Sequence, residues 1–200
     1  PDHLPTASLT SPSADAVFNS DISITATASD TDGTISMVEF YAGETKVGED
    51  TTSPYACTWV APPVGTHALT AKAIDNEDGY TVSSSVSVRE NAPPTISITD
   101  PENLEQFTTV PANITITADA ADADGTITLV EFYQGTTKLG EDSASPFSYD
   151  WNCGNESEYT LTVTATDNDT RTVTSDPIVI TVIYVYNGPP TVSITDPTED

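Results

Sequence analysis

Apolar and polar residues alternate along most of this 200-residue chain, in short segments separated by turn-forming residues. Between residues 22 and 28, Ile and Ala alternate with Ser and Thr, and between residues 114 and 120 they alternate with Thr and Asp. Because successive side chains of a strand point to opposite faces, this period of two predicts half-buried β-strands. No segment has the period of an amphipathic helix.

The pattern occurs twice, since several motifs return 92 residues further along the chain, as from Asp30 to Asp122. The repeated motifs are Asp30-Thr-Asp-Gly33 and Asp122-Ala-Asp-Gly125, Val38-Glu-Phe-Tyr41 and Val130-Glu-Phe-Tyr133, Ser53-Pro-Tyr55 and Ser145-Pro-Phe147, and Trp59 and Trp151. A third copy begins at Pro190–Pro197, which echoes Pro94–Pro101. Repetition of this kind indicates an array of similar domains. The predicted divisions are domain one at residues 1–91, domain two at residues 92–187, and a linker with the start of a third repeat at residues 188–200.

Each repeat contains about seven predicted short strands with turn signals between them, as in a Greek-key β-sandwich of immunoglobulin type. The fold class is therefore all-β, with two tandem sandwiches. Trp59 and Trp151 follow a Ser-Pro-aromatic motif at the same place in each repeat, and we expect them to pack between the sheets. A sugar-stacking role is the alternative for these two tryptophans.

The order of the motifs resembles the bacterial immunoglobulin-like domain family from about Pro5 to Val182. The motifs are Asp-x-Asp-Gly-Thr-Ile, Val-Glu-Phe-Tyr, Gly-x-x-Lys-x-Gly, Ser-Pro-Tyr/Phe, Trp and Leu-Thr-x-x-Ala-x-Asp-Asn. The resemblance implies an immunoglobulin-like fold and an extracellular or cell-surface location. Family members occur in adhesins, in polysaccharide-degrading enzymes and in surface-layer-like proteins, so the resemblance implies no single activity.

Charge narrows the range of partners. The chain has 31 Asp and Glu against 5 Lys and Arg, a net charge of −26 and a pI near 4.1. Nucleic acid and anionic membrane surfaces are excluded as expected partners, because binding to them depends on basic residues. No apolar run reaches the length of a membrane span, and we expect a secreted monomer whose export signal lies outside this sequence. Cys57 aligns with Tyr149 and Cys153 with Ala61, so no disulfide is repeated.

Two acidic loops in each repeat are the candidate chemical site. In an immunoglobulin-type sandwich these loops emerge at the same end, which would bring their carboxylates together. The predicted ligands are Asp30, Asp32, Asp75 and Asp78 in the first repeat, and Asp122, Asp124, Asp167 and Asp169 in the second. Clustered carboxylates repel unless a cation joins them, and Ca²⁺ accepts six to eight oxygen ligands, so we predict calcium.

The segment that joins the repeats passes near the second pair of loops, because the chain enters each sandwich at that end. Glu90 and Asn91 are therefore predicted additional calcium ligands, and Pro93-Pro94 restricts the segment even without metal. The alternative is that Asp-x-Asp-Gly only forms a turn. Asp169-Thr-Arg171 also departs from Asp78-Gly-Tyr80 and places a positive charge beside the second site.

No other residues form a candidate site. Glu39 and Glu131 recur in a strand without a nucleophile motif or base nearby, so we expect no catalysis. His3 and His67 occupy unrelated positions, which argues against a transition-metal site, and we expect His67 to face solvent. We expect Cys57 to be a small buried apolar residue.

These observations predict a non-catalytic extracellular stalk or spacer of a large secreted or adhesin-like cell-surface bacterial protein, stiffened by calcium. Its partners would be the neighbouring domains of the same chain, with a polysaccharide or a cell-surface ligand as candidates. The alternative is a carbohydrate-binding module of a polysaccharide-degrading enzyme, in which Tyr41, Tyr80 or Tyr133 would stack on sugar rings. A passive spacer without any ligand is a third hypothesis.

Overall fold

A computed structural model describes residues 3–186 and 188, and within them every regular element is a β-strand. The first nine strands are β1 (Thr6–Ser11), β2 (Ala16–Phe18), β3 (Ile22–Ser29), β4 (Ile35–Ala42), β5 (Thr45–Asp50), β6 (Tyr55–Trp59), β7 (Gly65–Asp75), β8 (Tyr80–Val82) and β9 (Val86–Glu90). The next nine are β10 (Thr95–Asp100), β11 (Gln106–Phe107), β12 (Ala112–Ala121), β13 (Ile127–Gln134), β14 (Thr137–Asp142), β15 (Phe147–Cys153), β16 (Ser157–Asp167), β17 (Thr172–Thr174) and β18 (Ile178–Val182).

The first sandwich consists of a three-stranded sheet and a six-stranded sheet. The smaller sheet has the order β1-β3-β6, and the larger has the order β2-β9-β7-β4-β5 with β8 paired to β7. The amino-terminal part of the chain contributes to both sheets, because β1 pairs antiparallel with β3 whereas β2 pairs parallel with β9. When the three-residue strands β2 and β8 are set aside, seven longer strands remain, as the sequence predicts.

The second sandwich repeats this topology. Its sheets have the orders β10-β12-β15 and β11-β18-β16-β13-β14, with β17 paired to β16. The short strand β11 pairs parallel with β18, as β2 does with β9. The prediction of an all-β fold with two tandem immunoglobulin-like sandwiches is therefore confirmed.

The core of the first sandwich follows from the alternation of the sequence. On β3, Ile22, Ile24 and Ala26 are buried, while Ser23 is exposed and Thr25 is half-buried. Phe40 and Leu69 are the largest of the fully buried side chains on β4 and β7. Burial of each such side chain contributes about 1.5–3 kcal/mol to folding. The core positions of the second sandwich include Ile114, Ile116, Val130, Phe132, Leu161, Val163 and Ile180.

Trp59 is half-buried and packs against the core of the first sandwich. Its ring makes an edge contact with His67, with ring centroids 4.9 Å apart. His67 is therefore half-buried instead of facing solvent, and its Nε2 lies 2.6 Å from the carbonyl oxygen of Pro63. Trp151 makes the equivalent edge contact with Tyr159 in the second sandwich, at 5.1 Å.

Two glycines allow a strand of one sheet to approach a strand of the other closely. A Cβ atom on Gly48 of β5 would lie 2.6 Å from Cβ of Cys57 on β6, and one on Gly140 would lie 2.1 Å from the Tyr149 ring. Cys57 is half-buried, and this burial, together with the charge of Asp50, raises the pKa of its thiol to about 11. A thiol with such a raised pKa is a poor nucleophile.

The chain divides into two compact units. The first consists of residues 1–95, 121–128 and 166–173, and the second of residues 96–120, 129–165 and 174–200. The loops that follow β12 and β16 thus belong to the first unit, although their flanking strands build the second sandwich. The predicted domain limits at 91 and 187 stay predictions, and the predicted third repeat at Pro190–Pro197 lies outside the described residues.

Candidate functional site: the acidic loop pairs

Two loops of the first sandwich, after β3 and after β7, are joined by a pair of hydrogen bonds. The backbone N–H of Thr34 donates to Oδ1 of Asn76 at 2.6 Å, and the N–H of Asn76 donates to the carbonyl oxygen of Thr34 at 3.0 Å. The two loops therefore lie side by side, as expected. The contact between the loops is made by Asn76, a residue that is not among the predicted calcium ligands.

Asp75 at the end of β7 organises the second of these loops. Its Oδ1 accepts hydrogen bonds from the N–H groups of Glu77 and Gly79, at 2.8 and 2.9 Å. The residue is only 1% exposed. Its Oδ2 is buried and has no hydrogen-bond partner within the part of the chain that the structure describes. A buried polar atom without a partner is costly, so this oxygen is a candidate ligand atom.

Gly33 is required where the two loops meet. A Cβ atom there would lie 2.4 Å from Oδ1 of Asn76 and 2.6 Å from Oδ2 of Asp30. Gly125 in the second repeat has the same surroundings, 2.1 Å from Oδ1 of Asn168 and 2.5 Å from Oδ2 of Asp122. The glycine of the Asp-x-Asp-Gly motif therefore permits close contact between the two loops.

The other two predicted ligands of the first loop pair have different surroundings. Asp32 accepts hydrogen bonds from the backbone N–H of His3, and its Oδ2 lies 2.9 Å from Nδ1 of that residue. The bond with the His3 side chain lowers the pKa of Asp32. Asp78 is exposed and has a φ of 68°, a left-handed turn conformation that Asp tolerates.

The second repeat builds the same joint between its loops. The N–H of Thr126 donates to Oδ1 of Asn168 at 2.6 Å, and Oδ1 of Asp167 accepts from the N–H groups of Asp169 and Arg171, both at 2.8 Å. Thr170 has a φ of 69°, like Asp78. Asp78 therefore corresponds to Thr170 and Asp169 to Glu77, which corrects by one position the alignment of Asp78 with Asp169.

Arginine side chains distinguish the second loop pair. The guanidinium of Arg89 donates to the carboxylates of Asp124 and Asp169, the latter at 2.7 Å. Nη1 of Arg171 lies 3.2 Å from Oε1 of Glu90 and 2.5 Å from the carbonyl oxygen of Asn91. All of these residues belong to the first compact unit.

Asn91 is fully buried beside this group. Its Nδ2 donates to Oδ2 of Asp167 at 2.8 Å, so the oxygen that is unpartnered in Asp75 has a partner here. The backbone N–H of the next residue, Ala92, donates to both carboxylate oxygens of Asp124, at 3.2 and 3.3 Å. Glu90 is 5% exposed, and its Oε2 has no hydrogen-bond partner among residues 3–186 and 188.

These contacts change the titration of the charged groups. The carboxylates of Asp169 and Asp124 raise the pKa of Arg89, which stays charged at any physiological pH. Desolvation by burial acts to raise the pKa of Asp124, but the Ala92 N–H and the Arg89 guanidinium stabilise its charged form, and the net shift is downward. The described loops thus contain a carboxylate that is held ionised by its neighbours.

The two loops of each pair lie side by side, and in the second pair Arg89 contacts a carboxylate of each loop. Within residues 3–186 and 188, however, no three His, Cys, Asp or Glu side chains are grouped so that they could hold a metal ion. Many of the aspartate oxygens accept hydrogen bonds from backbone N–H groups, which agrees with the turn hypothesis. Calcium binding at the ten predicted ligands stays a prediction.

The structure also places the residues of the alternative hypotheses. Glu39 accepts hydrogen bonds from Lys46 at 2.6 Å, Tyr41 at 2.9 Å and Lys72 at 3.3 Å, and the bond from Lys46 is the main reason that its pKa is lowered. Tyr80 is 55% exposed, with the Lys72 ammonium 4.6 Å from its ring centroid. Tyr41 and Tyr133 are half-buried.

One open cavity of about 400 Å³ lies on the smaller sheet of the second sandwich. Its lining residues are Asn113, Ile114, Thr115, Asp150, Trp151 and Asn152. The described residues contain no helix with the length and hydropathy needed to cross a membrane.

A family model described as "Bacterial Ig domain" matches residues 5–71 and 94–182. Similar solved structures include fibronectin(III)-like modules of CbhA from Clostridium thermocellum, at 29% identity and a TM-score of 0.46, covering 90% of this chain and 94% of that one. Another is the three N-terminal domains of the outer capsid protein Hoc of bacteriophage RB49, at 13% identity and a TM-score of 0.49, covering 92% and 71%. No curated protein matches the chain.

Proposed function

Because the chain belongs to the bacterial Ig domain family, we propose that it is a non-catalytic extracellular spacer within a larger secreted or cell-surface bacterial protein. The observation that carries this proposal is the repetition of one complete sandwich topology. Bacterial domains of this family are commonly extracellular or surface-associated, and their fold is typical of non-catalytic domains. The strongly negative charge suits a medium in which cations screen repulsion.

The topology of each sandwich favours a mechanical role. In the first, the chain enters through β1 and β2 and leaves through β9, and β2 pairs parallel with β9. A pull on the two ends would therefore shear the hydrogen bonds of this pair along the strands instead of opening them one at a time. The second sandwich has the same arrangement in β11 and β18.

Single-molecule stretching of the full chain tests the spacer function. We expect two separate unfolding events, each releasing about 85 residues or roughly 280 Å of extended chain. A variant with Val17→Pro, which removes one backbone donor near the β2–β9 pair, should unfold its first sandwich at lower force. Extension without two discrete events, or with no dependence on β2, would contradict the proposal.

We also propose that the first loop pair binds calcium, supported by the buried Oδ2 of Asp75. Binding would stabilise these loops and raise the melting temperature. The test is thermal unfolding in EDTA, in CaCl₂ and in MgCl₂ at fixed ionic strength. A calcium-specific rise that is lost in D30N/D75N, but kept in the charge-matched control D119N/D176N, would support the site. Equal melting temperatures in all three solutions would reject a calcium site at the first loop pair.

Carbohydrate binding is the second candidate function, and the cavity beside Trp151 favours it. Trp151 lines this cavity together with Asn113, Asp150 and Asn152, and these residue types can contact the faces and hydroxyls of a sugar. Calorimetric titration with soluble polysaccharides should then give binding that is lost in W151A and kept in W59A, the equivalent change in the first repeat. Equal loss in both variants, or no binding by the unaltered protein, would reject this function.

A further inference from the structure

We propose that Arg89 and Arg171 take the place of a divalent cation at the second loop pair, so that these loops are held together without metal. The inference goes beyond the proposed function and does not depend on a calcium site in the first loop pair. The guanidinium groups of these two arginines contact three carboxylates, those of Asp124, Asp169 and Glu90.

Both arginines of the chain lie at the second loop pair. They are two of only 5 Lys and Arg residues in the chain, which has 31 Asp and Glu. Arg171 corresponds to Gly79 in the first repeat, so the first pair has no guanidinium at that position. With a net charge of −26, most carboxylates of the chain have no basic side chain to pair with and must be neutralised by solvent and ions. The carboxylates of Asp124, Asp169 and Glu90 instead pair with arginines of the chain.

The chemistry of the guanidinium suits the role. Arg89 contacts Asp124 through one terminal nitrogen and Asp169 through the other, so a single planar group bridges the two loops as an ion would. Arg171 reaches Glu90, which is 5% exposed, and a buried carboxylate requires such a partner. A guanidinium stays charged at all relevant pH values, so the bridge needs no ligand from solution.

The neutral side chain of Asn91 completes the arrangement. It satisfies Oδ2 of Asp167 with a hydrogen bond and adds no further negative charge. In the first loop pair the equivalent oxygen of Asp75 has no partner among the described residues. The two loop pairs therefore differ in their cationic partners, since arginine side chains contact the carboxylates of the second pair and none is at the first. Oδ2 of Asp122 in the second pair is buried and, like Oδ2 of Asp75, has no hydrogen-bond partner among the described residues.

Amide hydrogen exchange on the full chain tests the proposal. The reporters are the N–H groups of Ala92, Asp169 and Arg171, which donate to Asp124 and Asp167. They would be followed in EDTA and in CaCl₂, in the unaltered protein and in R89Q, R171Q and R89Q/R171Q. K138Q removes a basic side chain that is 40% exposed and is the matched control. R89K/R171K keeps the charge without the planar fork.

We expect equal protection of the three reporters in EDTA and in CaCl₂, and at least about a tenfold loss of protection in R89Q/R171Q. K138Q should leave the protection of the three reporters unchanged. The protection in R89K/R171K should lie between that of the unaltered protein and that of R89Q/R171Q. Amides of the β3–β6 pair serve as a control for global unfolding. If the double variant loses protection there as well, the test uses the single variants R89Q and R171Q. A calcium-dependent gain in the unaltered protein, or full protection in every glutamine variant, would overturn the proposal. The amide of Gly79 reports separately on the first loop pair.

Discussion

The side-chain amide of Asn91 donates a hydrogen bond to Oδ2 of Asp167 at 2.8 Å, and the two residues are 0% and 1% exposed. Asp75 occupies the position of Asp167 in the first repeat and is equally buried, but its Oδ2 has no partner in the described part of the chain. Two turns with the same backbone hydrogen bonds therefore differ at one carboxylate oxygen. This difference leads to the first two predictions.

Replacing Asn91 by Asp should destabilise the protein. Two carboxylates would then face each other in a buried place, and the lost hydrogen bond to a charged group alone is worth about 1.5–3 kcal/mol. The measurement is the free energy of unfolding in urea. The swap N91D/D167N restores one donor and one acceptor and should recover most of the loss. A double variant no more stable than the sum of its single changes would contradict this assignment.

Asp75→Asn and Asp167→Asn should have opposite effects in the presence of EDTA. Asp75→Asn replaces the buried carboxylate oxygen that has no hydrogen-bond partner, while its Oδ1 still accepts from Gly79, so we expect a neutral change or a gain of up to about 1 kcal/mol. Asp167→Asn deprives Asn91 of a charged acceptor and should cost about 1–3 kcal/mol. Urea unfolding of the two variants side by side provides the comparison. Equal losses would show that the oxygen of Asp75 is not in fact unpartnered.

Gly33→Ala and Gly125→Ala should each cost about 1–3 kcal/mol, the usual range for overpacking. The new methyl group would press on the amide oxygen of Asn76 or Asn168, which can move only by giving up its hydrogen bond from the adjacent loop. Gly154→Ala is the control, because nothing lies within 4 Å of its Cβ position. Thermal unfolding measures the difference, and similar melting temperatures for all three variants would reject the close contact.

Acidification should weaken the second loop pair. The folded-state pKa of Asp124 is lowered below its ordinary value of 3.8, so its contribution to stability is complete above that pH and is lost as the pH falls through the lowered value. The difference in unfolding free energy between the unaltered protein and D124N should therefore shrink below about pH 4. High salt in all samples controls for the reduced self-repulsion of the whole chain. A difference that stays constant to acid pH would contradict the lowered pKa.

The strands and the repeat could be predicted well, because both are local properties of the chain. Odd- and even-numbered residues of a strand point to opposite faces, and the alternation shows which face is apolar. It therefore predicts that Ile24 and Phe40 are in the core, even when the position of their strands in the sheet is unknown. The loop pairs were also predicted to lie together. Their internal joint was not, although Asn76 and Asn168 recur at the same spacing and provided a signal for it.

The pattern of the sequence by itself determined the all-β class, the two repeats, the family resemblance and the pairing of the two acidic loops in each repeat. Only the tertiary structure decided which cation meets the carboxylates of the second loop pair. Arg89 and Asp169 are 80 positions apart, and no periodicity or motif spacing links them. Their contact depends on how the folded strands place two distant segments, and the Coulomb attraction that joins them acts only at short distance in water.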